Sequence, residues 1–378
     1  MTKILMMATY GDFLATFELS NIKLWQELGC EVHAASNFVN EAYNLKTNRL
    51  DNLGVIRHEI DFERSPFKTQ NLVSCKKLVD LIQKERFDVI DCHNAVIGAF
   101  ARLAGAYCHV SKVIYTPHSF FFYNGCPKKN ELIFKPVETW LSRKTDLLIA
   151  INCEDYQAAK KMKVRGTALY VPGVGVDTSS IISIPTEREK YRQQLGIPSD
   201  AQLFISVGEL ISRKNHSTAI RAFAEAGIPN AYYIICGIGE KKDELNDLIH
   251  SLNAQNYIKL LGYRLDVKNL MKASDVFVFP SVQEGLPVAL MEAMAAGLPC
   301  IASQIRGNVD LISPGVGGDL FSPMDSNELT KLMTKFSSSQ ELRAAYGAYN
   351  TKRVREFDIR HVQDIMRNEY DKLIKEIS

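Results

Sequence analysis

DVFVFPSVQEGLPVALMEAMAAGLPCIAS, residues 275–303, decides how this chain folds. Asp275 to Ser281 is short, apolar and β-branched, the pattern of a strand buried on both faces. A loop then passes through Gln283, Glu284 and Gly285. Pro287 suits the first helical position, since its missing N–H is an orphan there anyway and its φ is already helical. Leu290, Met291, Ala293, Met294 and Ala295 continue with strong helix formers, and Gly297 followed by Pro299 stops them. A second apolar strand, PCIASQI, follows at once. Strand, helix and strand in succession fit a parallel sheet covered by helices. The helix start at the carboxyl end of a buried parallel strand offers unpaired N–H groups and a positive dipole end, where open α/β sheets bind ligands. Glu284 and Glu292 flank that place. Either alone reads equally as a dipole-favouring or solvated residue, but Gly285 admits close approach of a ligand to the backbone.

The same alternation runs outward in both directions. KILMMAT, CEVHAAS, VIRHEID, DVIDCHN, KVIYTPH, DLLIAIN and TALYVPG are strand-like, with helical stretches between most of them. The rhythm lapses from Pro172 to about Asp200 and resumes with QLFISVGEL, NAYYIICG, YIKLLG, DVFVFPS, PCIASQI and GDLFS. The expectation is an α/β chain of two doubly wound, Rossmann-like parallel-sheet domains, 1–180 and 200–358, facing each other across a cleft. The closing helix, about 359–378, carries Ile359, Val362, Ile365, Met366, Leu373 and Ile374 as one apolar stripe, expected to pack back on the first domain.

Composition narrows the class. With 378 residues, 46% hydrophobic and 23% charged, the chain has the makeup of a globular protein with a sizeable core. A net charge of +2 and the lack of an RNP-like aromatic motif argue against nucleic acid as a partner. Eight scattered cysteines show no Cys-x-x-Cys and no Cys/His ligand spacing, which points to a reducing cytoplasm and no metal. MTKILMMAT reaches Asp12 and Glu18 too soon for a signal peptide and reads as a first strand.

Several residues could carry chemistry. Gly208 ends a strand in VGELISRKNH, and Arg213 and Lys214 stand near the next helix start, either as a solvated basic face or as diphosphate ligands. His118 follows a strand in YTPHSFFFYNG, equally readable as structural or functional. The loop TYGD after the first strand has one glycine, Gly11, and so lacks the dinucleotide-binding fingerprint of a Rossmann oxidoreductase. No G-x-x-x-x-G-K-[ST] loop and no Asp-x-Asp is present, which disfavours nucleotide hydrolysis and a diphosphate chelated through a metal. Basic clusters occur in CPKKNELIFKPVETWLSRK and KKMKVR. FFFY at 120–123 provides either surface anchors or a buried aromatic core.

Taken together, EGLPVALMEAMAAGLPCIAS, VPGVGVD, the His118 segment and the Lys214 loop resemble, in order along nearly the whole chain, the family 4 retaining glycosyltransferases of the GT-B fold. The resemblance is greatest to the bacterial branch that assembles exopolysaccharide and capsule. It implies a metal-independent enzyme without cofactor that moves a hexosyl or N-acetylhexosaminyl group from a nucleotide sugar, UDP-linked, to a lipid-linked glycan acceptor. The location implied is the cytoplasm, peripheral on the inner face of the membrane. It further implies that Glu292 holds the ribose, and that Glu284 and the N–H groups near Gly285, Leu286 and Val288 hold the transferred sugar. Lys214 would hold the diphosphate, and His118 would approach the sugar from the opposing domain. That division is physically consistent, since a carboxylate ~6 Å from a phosphate charge would cost roughly 2–3 kcal/mol at an effective dielectric near 20. The chain departs from the family's G-R-L pattern by placing Glu209 after Gly208, so Arg213 or Arg306 must provide that charge, with the Gly11 segment as the remaining candidate. Two alternatives share the nucleotide site: a nucleotide-sugar 2-epimerase and a non-catalytic nucleotide-sugar-binding subunit.

Overall fold

The computed structural model describes residues 1–39 and 48–377. The chain divides into two compact units, one running to Val174 and completed by the chain from Arg360 on, the other spanning Gly175–Ile359.

In the first unit, β1 (Lys3–Tyr10), β2 (Glu31–Asn37), β3 (Ile56–Glu59), β4 (Val89–His93), β5 (Lys112–Thr116), β6 (Leu147–Ala150) and β7 (Thr167–Tyr170) form one sheet in the order β3-β2-β1-β4-β5-β6-β7. Every pairing is parallel. Side chains on a strand alternate between faces, and both faces here are covered. Ile4, Met6 and Ala8 of β1 therefore enter one apolar core while Leu5 and Met7 enter another. The helix Ile359–Ile377 closes the first of these cores with Val362, Met366, Tyr370 and Leu373. Its Tyr370 ring stacks on Trp25 at 3.7 Å, and both residues donate hydrogen bonds to Asp91 Oδ2. Tyr370 thus joins the stripe that the aliphatic positions alone defined.

The second unit repeats the plan with β8 (Gln202–Val207), β9 (Ala231–Cys236), β10 (Ile258–Gly262), β11 (Val276–Phe279), β12 (Cys300–Ser303) and β13 (Gly318–Phe321), ordered β10-β9-β8-β11-β12-β13 and all parallel. Each strand expected from the sequence is present, with ends displaced by a few residues. In each sheet the order reverses direction once, between β1 and β4 and between β8 and β11. At such a switch point the two flanking connections leave toward opposite faces and open a crevice at the strand ends.

Two local expectations are corrected, and one open choice is decided. TYGD is not a loop: β1 runs to Tyr10 and the helix Gly11–Phe17 begins at the next residue. Gly11 is required there because a Cβ would meet the Phe38 ring at 2.0 Å. Pro287 is the N-cap rather than the first helical residue, with φ −78° and ψ 119°, and the helix is Val288–Ala295. Of FFFY, Phe120 and Phe122 are buried and stacked on each other at 4.8 Å, so they belong to the core and anchor nothing at the surface.

Candidate active site

The switch point of the second unit gathers the residues singled out in the second half of the sequence. The chain after β11 turns through Ser281 and Glu284 to the helix Val288–Ala295, whose start carries no side-chain cap, leaving its first N–H groups available. Leu286 is buried and Val288 half-buried beside that start. After β8, Ser212–Lys214 form a 3₁₀ turn, and Asn215, at φ +53°, reverses the chain into the helix His216–Ala226. Asn215 tolerates this left-handed conformation better than most residues. Its amide donates to the carbonyls of Pro280 and Pro323, tying the two loops together.

That tie converges three donors on one atom. Glu284 Oε1 accepts from Lys214 Nζ at 2.7 Å, Arg213 Nη1 at 2.8 Å and Ser281 Oγ at 2.5 Å. Burial would raise the Glu284 carboxyl, but Lys214 and Arg213 outweigh it and hold the group below the usual range. Glu284 is therefore ionised inside a cationic loop. Arg213 also donates to the Gln283 carbonyl at 2.7 Å and lies 3.7 Å from Glu209. Glu209 thus faces an arginine, which offsets its charge. Arg306 is buried and donates from Nε to the Glu284 carbonyl oxygen at 3.2 Å, bracing the loop from behind. The next residue, Gly307, has φ +81°, and a Cβ there would stand 2.1 Å from the Gly285 carbonyl oxygen. The Lys214 stem runs along Gly208, where a Cβ would meet it at 3.3 Å.

Glu292, in the second turn of its helix, has another setting. Burial raises its carboxyl, and Lys268 Nζ, 3.4 Å from Oε1, opposes that. Ser281, Asn215 and Lys268 escaped the sequence reading. Lys268 in particular lies on a separate helix, Val267–Ala273, with no motif to mark it.

The switch point of the first unit holds a second cluster, and the sequence revealed only one of its members. His118, at φ +57° after β5, places Nε2 3.1 Å from His93 Nδ1 and 3.4 Å from Glu18 Oε1. His93 Nδ1 and Glu18 Oε1 are 3.5 Å apart, so three donor atoms form a triangle that one divalent ion could span. Asp91 Oδ1 lies 3.5 Å beyond, at His93 Nε2, and Phe13 packs edge-on to His118 at 4.8 Å. Burial, then the nearby Asp91 charge, pushes Glu18 up to about 8. Burial pushes His93 down to about 3 and His118 well below its ordinary value, the latter helped by His93. Burial thus favours the uncharged form of all three side chains, Glu18, His93 and His118. Gly11 lies at the end of β1, whose neighbour β4 ends at His93. DVIDCHN, ending a central strand, was the available signal for His93. Glu18 lies in no recognisable motif.

Comparison with known proteins gives the family of the chain. Residues 187–353 match the family described as glycosyl transferases group 1, and residues 20–180 match glycosyltransferase family 4. EpsD of Bacillus subtilis (strain 168) is 33% identical over 352 residues, covering 90% of this chain and 88% of that protein. The UDP-Gal:alpha-D-GlcNAc-diphosphoundecaprenol alpha-1,3-galactosyltransferase of Escherichia coli is 30% identical over 303 residues, covering 77% and 76%. HepE from Anabaena, solved in complex with UDP and glucose, superposes with a TM-score of 0.80 at 21% identity, covering 98% of this chain and all of that one. Two doubly wound units, a Glu-x₇-Glu helix start beside a basic loop, and matches spanning both halves place the chain among the family 4, group 1 glycosyltransferases of the GT-B fold.

Proposed function

We propose that the protein transfers a hexosyl or N-acetylhexosaminyl group, with retention and without a metal ion, from a UDP-sugar to a lipid-linked acceptor during polysaccharide assembly. The observation that carries this reading is the convergence of Lys214, Arg213 and Ser281 on Glu284 beside an uncapped helix start. Such a site offers a cation to a diphosphate and a fixed carboxylate to sugar hydroxyls. The donor class is supported by the UDP complex of HepE, and the acceptor class by the galactosyltransferase, whose name specifies a diphosphoundecaprenol-linked sugar.

In this reading Lys214 and Arg213 stabilise the departing nucleoside diphosphate, which is electrostatic preorganisation. Arg213 makes good the charge that Glu209 displaces, since it lies beside Glu209 and on Glu284, while Arg306 donates to the backbone of the same loop. Glu284 and the N–H groups of Gly285, Leu286 and Val288 hold the transferred sugar. Glu292 holds the ribose, with the Lys268 ammonium beside its carboxylate. In the first unit the partly exposed His118 offers a hydrogen bond to a neutral hydroxyl, held in place by buried Glu18 and His93, next to the Gly11 helix start. The leaving phosphate assists deprotonation of the acceptor hydroxyl on the same face, so no protein base is needed. The protein works in the cytoplasm, at the inner face of the membrane.

The test is a panel of UDP-sugars incubated with a diphosphoundecaprenol-linked monosaccharide, read by UDP release and by the anomeric coupling of the product. Transfer with retained configuration is the expected result. Epimerised donor without transfer would make the protein an isomerase, and donor binding without either reaction a binding subunit.

A further inference from the structure

The helix Lys128–Leu141 turns an apolar face to solvent. Leu132 is 76% exposed, Ile133 50%, Val137 45% and Trp140 51%. At ~100° per residue these four and Pro136 fall within an arc of roughly 140°, opposite the side that Glu138 and Leu141 bury. The inner side is firmly mounted. Buried Glu138 pairs with buried Arg102 at 2.8 Å and accepts from the Tyr115 hydroxyl at 2.9 Å, while Arg102 lies 3.8 Å over the Tyr115 ring. The outer face therefore cannot roll inward without breaking a buried ion pair.

Charge borders this stripe on one sign. Lys128, Lys129, Lys135 and Arg143 are exposed, and Lys144 sits 5.3 Å over the Trp140 ring. Glu131 is the exposed acid, and it is tied to Lys135 at 2.7 Å. Lysine is depleted from protein–protein interfaces, whereas aliphatic residues and tryptophan framed by lysine and arginine characterise helices that lie in a membrane interface. No helix among the described residues is long and apolar enough to cross a membrane, so any contact is with its surface.

We propose that Lys128–Leu141 is a membrane-surface helix that lays Leu132, Ile133, Val137 and Trp140 into an anionic bilayer, with the surrounding lysines and Arg143 on the lipid headgroups. This deepens the lipid-linked-acceptor reading by naming the surface that meets the lipid, and its evidence is independent of the donor site.

The chain has two tryptophans, and Trp25 is fully buried and shielded from added vesicles, so a change in emission on mixing reports Trp140. Adding the full-length protein to vesicles containing 30% phosphatidylglycerol should shift its emission to the blue, and the protein should float with them at low salt. Pure phosphatidylcholine should do neither. Each basic residue near an anionic surface contributes about a fourfold to fivefold gain in affinity, so Lys128→Glu with Lys129→Glu should weaken binding by at least about 20-fold. Leu132→Ser with Val137→Ser should weaken it comparably at any salt, with unchanged circular dichroism. Neither pair should alter UDP-sugar binding. The absence of flotation and of any blue shift at low ionic strength overturns the proposal. So does an oligomer, seen by light scattering, that the serine pair dissolves while vesicle binding is nil, since the face would then be covered by a second copy. Flotation without sugar transfer would leave this proposal standing and remove the one on function.

Discussion

The basic loop provides the sharpest test, because Lys214 and Glu209 are five residues apart in one loop yet sit in different environments. Lys214 keeps 13% of its side chain exposed and shares an oxygen of Glu284, itself 10% exposed, at 2.7 Å. Glu209 is 42% exposed and lies 3.7 Å from an Arg213 that is 36% exposed. Truncating one partner of a buried charge pair costs about 2–5 kcal/mol, whereas an exposed pair is worth about 0–1 kcal/mol. Lys214→Ala should therefore lower kcat/KM by at least about 30-fold, and Glu209→Ala by no more than about fivefold. The loss in Lys214→Ala has two conceivable sources, contact with the diphosphate or release of Glu284. A double-mutant cycle separates them. In a Glu284→Gln background the carboxylate charge is gone, so a lysine that served only to seat it would become dispensable. A lysine that holds phosphate would not. Initial rates of UDP release across the four proteins give the answer. Equal losses in Lys214→Ala and Glu209→Ala, or a Lys214 effect that vanishes beside Glu284→Gln, would refute the assignment of Lys214 to the diphosphate.

Other outcomes follow from the same geometry. Glu292→Ala removes a charge-assisted hydrogen bond worth about 1.5–3 kcal/mol, so UDP-sugar use should fall by roughly ten- to over a hundred-fold, while Lys268→Ala, which removes a lysine whose side chain is 41% exposed, should cost far less in the same assay. EDTA should leave transfer largely intact; activity abolished by chelation, restored by Mn²⁺ and lost in Glu18→Gln would instead put an ion among Glu18, His93 and His118. Gly307→Ala combines φ +81° with a 2.1 Å approach to the Gly285 carbonyl, and should destabilise the protein by about 2 kcal/mol or more, visible as a fall of several degrees in Tm. An unchanged melt would show that the Glu284 loop is less tightly held than the contacts indicate.

The sequence by itself determined the architecture and the family. Strands such as KILMMAT and DVFVFPS carry unbroken apolar runs, ILMMA and VFVFP, because parallel strands are covered on both faces, a property each stretch carries without its neighbours. Lys214, Glu284 and Glu292 were legible for a related reason: each lies in a short segment that passes directly from strand to helix. Strand order, by contrast, is not written in any one segment. Only the pairing of β1 with β4 and of β8 with β11 establishes which strand ends share a crevice. It brings His93 and Glu18 to His118 across 25 and 100 positions of the chain. It also puts Lys214, Arg213 and Ser281 on the same oxygen, although Glu284 is 70 residues from the lysine. Burial was likewise a tertiary decision. FFFY and LIFKPV are both apolar runs beside lysines, yet Phe120 and Phe122 went inside while Leu132, Ile133 and Val137 stayed out. What separates them is Glu138, which found Arg102 on the neighbouring helix Ala95–Tyr107 and so turned its own helix with the charge inward and the aliphatic stripe toward solvent.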